Sequence, residues 1–322
     1  MKIRIKALSP VHIGSGEEIT PLEYLFHDGK FIRLDMDGLF KDPEFQPFMD
    51  KFLQSARTQR YIGNLLPRDL LLKHPLYSIE VSSSARNSNP VNVRSHIKSA
   101  GRVYLPGSSL KGSLLSGVIY KIAIRRQIRD LREYEELLSR VLSEISLKGM
   151  GKFSRWLSVE DSDLLSPEET LELSLVERVG AGGRRGVTFL CETIKKDTLF
   201  QSEIKTSLDS FYRFGKLSEE EILKMADEFY RKVYEKERKS RVPSRLPSCS
   251  SEKYLLRIGH GSSCLSTSLL LLAEELGIRD YYILRPRIRG RQLSPIRVGE
   301  EPSTRELVKP DISIGWVEVE KC

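Results

Sequence analysis

"VYLPGSSLKGSLLSGVIYKIAIRR", Val103 to Arg126, packs a proline, glycines and serines between a short apolar stretch and a run in which Leu110, Leu114, Val118 and Ile122 recur every four residues. It reads as a strand-to-helix junction: Gly107 allows a sharp turn, Ser108 or Ser109 is a good N-cap, and an amphipathic helix follows. The same residues support a second reading. A helix N-terminus leaves N–H groups unpaired and carries partial positive charge, and Lys111 in the first turn adds a cation, so an anion would be held well there. No G-x-x-x-x-G-K-[ST] spacing occurs, which excludes a nucleotide-type phosphate loop. The residues leave cap and anion cradle both open.

Outward from that junction the chain mixes strands and helices without a steady βαβ alternation. Lys2–Leu8 alternates as a first strand, and Leu22–Phe26 and Lys30–Leu34 flank the turn signal His27-Asp28-Gly29 as a hairpin. From Asp35 to Lys73 the pattern is mostly helical, and Leu76–Val81 is extended again. The periodic run after Leu110 continues as one helix or two, turning near Asp130. Beyond Trp156 strands dominate, with Leu171, Leu173 and Leu175 on one face. Ser218 and Glu221 then form a capping box for a helix whose stripe is Ile222, Met225, Phe229 and Val233. A basic linker runs to Ser251, followed by a strand at Tyr254–Ile258, a glycine loop, a helix at Leu265–Leu276, a basic loop and a last strand, "GWVEVE". The pattern predicts an α+β fold with largely antiparallel sheet.

The 322 residues suffice for one large or two ordinary domains. Hydrophobic content of 39% and a mean hydropathy of −0.32 are those of a soluble protein. No apolar run approaches the ~18 residues of a membrane span, so no membrane partner is expected. The N-terminus reads as a strand rather than a signal peptide. Four scattered cysteines (Cys191, Cys249, Cys264, Cys322) make no C-x-x-C pair, which points to a reducing cytoplasm. No metal site and no cofactor are expected.

Net charge is +8 and unevenly spread. "RPRIRGRQLSPIR", Arg285 to Arg297, has five arginines and no acid, and "RKSRVPSR", Arg238 to Arg245, is also basic throughout. "GHGSSCLS", Gly259 to Ser266, repeats the logic of the opening junction: strand, glycine turn, Ser262 and Ser263 as a serine pair, helix. Two such turns in a basic chain favour a protein that tracks a nucleic-acid backbone. "GAGGRRG", Gly180 to Gly186, lies between two strands and is either a mobile loop presenting Arg184 and Arg185 or a plain hairpin tip. His12, in "SPVHIGSG", has an ordinary pKa suited to acid–base cleavage of RNA, but the sequence offers it no partner. A histidine bonded to backbone beside the Gly14 turn is the favoured reading. The acid pairs Asp161/Asp163 and Asp35/Asp37 suit a metal or, more commonly, a solvated surface.

Taken in order, these motifs resemble the RAMP superfamily of CRISPR effector proteins. "LSPVHIGSGEEI" is similar to its N-terminal signature, and "YLPGSSLKGSL" to its most recognisable motif. "WLSVEDSDL" resembles the strand after the helical segment, "ERVGAGGRRGVTFLCETIKKDTLFQSEI" a β-hairpin thumb with the strand pair behind it, and "RIGHGSS" the C-terminal glycine-rich loop. Within the superfamily the fit is to the fifth subunit of type III-A (Csm) complexes. The repeated backbone subunit has a short loop with a cleaving aspartate where this chain has about ninety residues and no alignable aspartate.

The resemblance implies a ferredoxin-like (RRM-like) core at 1–34 and 76–215 with a thumb near 170–200, a helical insertion at 35–75, and a C-terminal helical/β region at 216–322. It implies a non-catalytic subunit that binds CRISPR RNA, caps the backbone filament at the 3′ part of the guide and is needed for guide 3′-end maturation. Its partners would be CRISPR RNA, target RNA through the complex, the RAMP backbone subunit, the small helical subunit and trimming nucleases. The RNA-binding residues would be His12, Gly14, Gly107, Ser108, Ser109, Lys111, Arg184, Arg185, Gly259, Gly261, Ser262 and Ser263. The alternatives are a metal-independent RAMP endoribonuclease using His12, and a repeated backbone subunit.

Overall fold

The computed structural model describes residues 1–56, 60–128, 133, 156–207, 217–261, 268–277, 282–283, 287–288, 291–292, 296–297 and 304–322. In chain order the N-terminal elements are β1 (Lys2–Ala7), β2 (Gly14–Ile19), β3 (Tyr24–His27), β4 (Lys30–Leu34), α1 (Met36–Lys41), α2 (Met49–Ala56) and α3 (Arg68–Leu71). There follow β5 (Pro75–Val81), β6 (Val93–His96), β7 (Lys98–Ser99), β8 (Arg102–Val103) and α4 (Gly107–Arg125). The middle holds β9 (Leu157–Val159), α5 (Pro167–Thr170), β10 (Leu171–Gly180), β11 (Arg185–Ile194), β12 (Leu199–Thr206) and α6 (Glu219–Arg238). The end holds β13 (Tyr254–Arg257), α7 (Ser268–Glu275), four two-residue strands β14–β17 (Tyr282–Ile283, Arg287–Ile288, Arg291–Gln292, Ile296–Arg297), β18 (Thr304–Val308) and β19 (Trp316–Lys321).

Two sheets carry this α+β fold. The first has the order β13-β19-β1-β12-β9, antiparallel throughout. In β1 the alternation is fully expressed: Ile3, Ile5 and Ala7 are buried while Lys2 and Arg4 face water. The buried face is covered by α4 and α6. These helices cross so closely that a Cβ on Gly117 would lie 2.3 Å from the Cα of Ala226. The predicted stripes of both helices, Leu110 to Ile122 and Ile222 to Val233, are buried, and the Ser218–Glu221 capping box is formed.

The second sheet runs β2-β6-β11-β10-β5-β4-β3, with β18 also paired to β10. It departs from the antiparallel expectation at β10–β5 and β11–β6, which are parallel. Residues 36–56 and 60–71 form short helices around an apolar cluster shared with Leu25 of β3 and Ile32 and Leu34 of β4, in which Phe45 and Phe52 pack against each other at 5.6 Å between ring centroids. The long helix ends at Arg125 with Arg126 as C-cap. The turn expected near Asp130 lies outside the described residues. No described helix is long and apolar enough to cross a membrane.

Candidate nucleic-acid interface

The junction at Gly107 is built differently from its sequence reading. The N-cap is Pro106, and Ser108 and Ser109 sit inside the first turn, so neither serine caps the helix. The cap comes from the other acid-rich segment: the Gly107 N–H donates to Asp161 Oδ1 at 2.7 Å. Ser109 N–H donates to the Pro106 carbonyl at 3.0 Å, which closes the turn without a serine side chain. Leu105 N–H donates to Ser162 Oγ at 2.9 Å, and Ser162 N–H returns to the Leu105 carbonyl at 3.0 Å. This close zipper leaves no space for a side chain at 107, where a Cβ would lie 2.1 Å from the Val159 carbonyl oxygen. Asp163 is likewise structural, accepting from Gln201 N–H at 2.8 Å. Asp35 caps α1 by accepting from the Gly38 N–H. Ser108 is exposed, and Lys111 is half-buried with its amine pushed below its ordinary pKa by desolvation.

At the far end of β1 the sequence readings converge. His12 is buried and its Nδ1–H donates to the Glu192 carbonyl at 2.7 Å, which leaves Nε2 as the acceptor nitrogen. Gly14 lies against that nitrogen: a Cβ there would be 3.3 Å from His12 Nε2. The turn after β13 closes over the same residue, with the His260 N–H donating to the His12 carbonyl at 2.8 Å. Gly259 has φ +71° and a Cβ there would lie 2.4 Å from that carbonyl oxygen, so both its backbone conformation and its surroundings exclude a side chain. Gly261 is packed on Ile314, and Ser262 and Ser263 lie outside the described residues.

Two further imidazoles meet His12, and sequence reading names neither as a site residue. The rings of His96 and His260 are each 5.9 Å from it, centroid to centroid. His96 is completely buried; its Nδ1 accepts from the Ile13 N–H at 3.0 Å, so its own proton sits on Nε2. Burial holds both His12 and His96 in the neutral form, His12 with a pKa near 4 and His96 also well below its ordinary value. His260 is paired through Nε2 with Glu306, which also binds Arg178, and these partners pull the Glu306 pKa down to about 2. Beneath the cluster Glu192, fully buried, accepts from Tyr77 Oη at 2.5 Å, His96 N–H at 2.9 Å and Lys98 Nζ at 2.5 Å. Phe189 is stacked on one side by the Arg94 guanidinium, 3.7 Å from the ring centroid, and meets the His260 ring at 5.9 Å.

The third candidate element is the β10–β11 hairpin. Its tip is a tight turn at Ala181–Gly183 with Gly182 in the left-handed region at φ +73°. Arg185 is engaged by Glu177 and by Asp311 at 3.3 Å, whereas Arg184 is exposed with no acidic partner among the described residues.

These elements do not share one pocket. The Gly107 junction lies beside Val159, which is level with the start of β1, whereas the His12 turn follows its end. Gly14 pairs with His96 and Lys98 pairs with Val103, so the Gly107 junction lies about two strand spacings and about four residues of chain from the His12 turn, on the order of 20 Å at about 4.8 Å between strands and 3.3 Å per residue. The hairpin leaves the His12 corner at the Val11–Ile194 bridge, but Gly261 lies against the Glu306 carbonyl and Glu306 pairs with Arg178, so the hairpin tip is on the order of 15–20 Å from the Gly259 turn.

A sequence model described as "RAMP superfamily" matches residues 4–262. The chain is 24% identical over 332 aligned positions to a Streptococcus thermophilus protein named CRISPR system Cms protein Csm5, covering 94% of this chain and 90% of that one. A protein of the same name from Methanocaldococcus jannaschii is 25% identical over 180 positions, covering 50% of this chain and 42% of the relative. Among solved structures, a chain of the cryo-EM Csm-crRNA-target RNA ternary complex of a type III-A CRISPR-Cas system superposes with a TM-score of 0.69 at 24% identity, covering 99% of this chain and 100% of that one. The crystal structure of T. onnurineus Csm5 gives 0.66 at 20% identity, covering 98% and 99%. With its motif order, its two-sheet α+β architecture and a family match over most of its length, the chain belongs to the RAMP superfamily.

Proposed function

We propose that this chain is a non-catalytic guide-RNA-binding subunit of a type III-A CRISPR effector complex. In this reading it caps the filament of backbone subunits at the 3′ part of the guide and is required for guide 3′-end maturation by recruited nucleases. The backbone subunit and the small helical subunit are its protein neighbours. In the first sheet, β1, β9 and β12 with α4 belong to the ferredoxin-like core at 1–34 and 76–215, α6, β13 and β19 of the C-terminal region complete its packing, and the β10–β11 hairpin serves as a thumb.

The observation that carries this reading is the separation of the candidate elements. Three glycine-containing turns in a basic chain are spread out, neighbouring ones on the order of 20 Å apart. A small molecule cannot touch all three, whereas an extended polyanion can. Relatives named Csm5 and structural likeness to a chain of an RNA-containing Csm complex support the same assignment. Sequence specificity then lies in base pairing by the guide, and the protein holds backbone and shape.

One observation favours a rival. The meeting of His12, His96 and His260 is an arrangement in which a neutral imidazole could act as a base on RNA. Purified protein incubated with repeat-containing RNA in EDTA separates the two. The binding reading expects a retarded, intact RNA and a raised 260/280 absorbance ratio in the purified protein. Cleavage that His12→Ala abolishes would establish the endoribonuclease instead.

A further inference from the structure

The basic run "RKSRVPSR" is not among the candidate RNA contacts, yet the fold docks it under the hairpin tip. The Gly182 N–H donates to the Arg241 carbonyl at 3.4 Å. Below that contact Val242, Val179 and Leu307 form a small buried cluster, each about 1% exposed. Asp311 ties the two basic segments together: its carbonyl accepts from the Arg245 N–H at 2.6 Å, and its carboxylate pairs with Arg185. Two stretches some sixty residues apart in sequence therefore present one surface on a packed support.

We propose that this surface, formed by the hairpin tip and the chain from Arg238 to Arg245, tracks the phosphate backbone of single-stranded RNA. It rests on the RNA-binding reading above and adds a contact region to it. Arg178, Arg184, Arg185, Lys239, Arg241 and Arg245 are all exposed there. The neighbouring acids are already committed: Glu306 to Arg178, Glu177 to Arg185 and Lys309, Glu235 to Arg238. Arg184, Lys239 and Arg245 are left without an acidic partner among the described residues, a local excess of positive charge. An acidic protein partner is disfavoured by composition. Val187 is the only large apolar side chain exposed on the described hairpin, and a protein interface needs an apolar centre with aromatic anchors. Arginines around a glycine tip, by contrast, offer bidentate donors and open backbone to phosphates.

The test is a salt titration of binding to an unstructured RNA by the wild type, the triple variant Lys239→Ser/Arg241→Ser/Arg245→Ser, and Arg184→Ser alone. Each lost phosphate contact lowers the slope of log affinity against log salt by about 0.7 on single strands. The triple variant is expected to lose about 2 from that slope and at least roughly tenfold in affinity, and Arg184→Ser about 0.7. The melting temperature is expected to be unchanged; if the triple variant fails to fold, the single variants Lys239→Ser and Arg245→Ser, each at an exposed side chain of the new segment and each expected to lose about 0.7 from the slope, decide. Wild-type affinity and slope in variants that fold would overturn the surface while leaving the RNA-binding assignment intact. A wild-type protein that binds no RNA would overturn both. Weaker binding of polyglutamate with RNA affinity unchanged would overturn the choice of ligand.

Discussion

The Gly107 N–H donates to the Asp161 carboxylate at 2.7 Å, so the helix entrance with the most phosphate-like sequence is occupied by an anion of the chain itself. Two cationic features that would attract a phosphate remain, the helix dipole and half-buried Lys111. Any phosphate approaching Ser108 meets the Asp161 charge as well. The motif is therefore first a device for docking α4 onto the segment after β9, and in the proposed RNA-binding role that carboxylate would oppose a phosphate there.

Asp161→Asn separates these roles, because it keeps an oxygen acceptor for Gly107 and removes the charge. Loss of an anion at a helix N-terminus costs about 0.3–1 kcal/mol, so a small fall in melting temperature is expected. RNA binding is expected to tighten, with a steeper salt dependence, while Lys111→Glu weakens it. Unaltered affinity in both variants would place the RNA away from this corner.

The buried imidazoles make stability depend on acid. In the unfolded chain His12 takes up a proton below about pH 6.5; in the folded protein it does so only near pH 4. The unfolded state thus binds more protons between those values, and stability falls as pH drops through that window. His12 alone accounts for about 3 kcal/mol by pH 4, and His96, depressed in the same direction by its burial, adds to it. Urea midpoints measured from pH 7 downward should therefore fall, and less steeply in His96→Gln. A midpoint that holds constant to pH 5 would contradict neutral burial of these rings.

A second buried polar centre holds α6 to the C-terminal strands. Glu237 pairs with Arg257 at 2.6 Å and Arg305 at 3.2 Å and accepts from Ser313 Oγ at 2.6 Å, with all three charged side chains almost completely buried. Glu237→Gln keeps the shape and strands two guanidinium charges in a dry site. Breaking such a group typically costs about 3–5 kcal/mol. Equilibrium unfolding should show a loss of that order; a change under about 1 kcal/mol would mean that water reaches the arginines.

Elements with one buried face are legible because a 2.0 or 3.6 period is imposed directly on the residue order. The strand β1 and the helices α4 and α6 can be read in this way, whereas β10 buries residues of both faces, Leu173 on one and Ser174 and Val176 on the other. The strand β2 cannot, since only Ile19 of its six residues is buried and no alternation exists to see. Nor can β6, whose inward residues include the polar Ser95 and His96. These two strands carry His96 beside His12, so missing them means missing the cluster. The glycine turns are visible as motifs, but their neighbours come from chain segments as much as 248 residues away, as with His12 and His260, or 180 residues for His12 and Glu192. The one local trace is Glu192 itself, a carboxylate interrupting the apolar run "FLCETI". It marks a buried polar hub.

Gly259 tests whether the His12 corner depends on close backbone approach or only on a left-handed turn. Gly101 has a similar φ of +76°, yet a Cβ added there would meet nothing within 4 Å, whereas a Cβ on Gly259 would press against the His12 carbonyl. Alanine in the left-handed region costs about 1–2 kcal/mol by itself, which is the expected effect of Gly101→Ala. Gly259→Ala must also displace the turn from His12 and break the His260–His12 backbone bond. It is expected to lose clearly more stability than Gly101→Ala and to shift the His12 and His260 ring resonances in NMR spectra. Equal losses in the two variants, with those resonances unmoved, would show that the turn tolerates a side chain and that the glycine serves conformation alone.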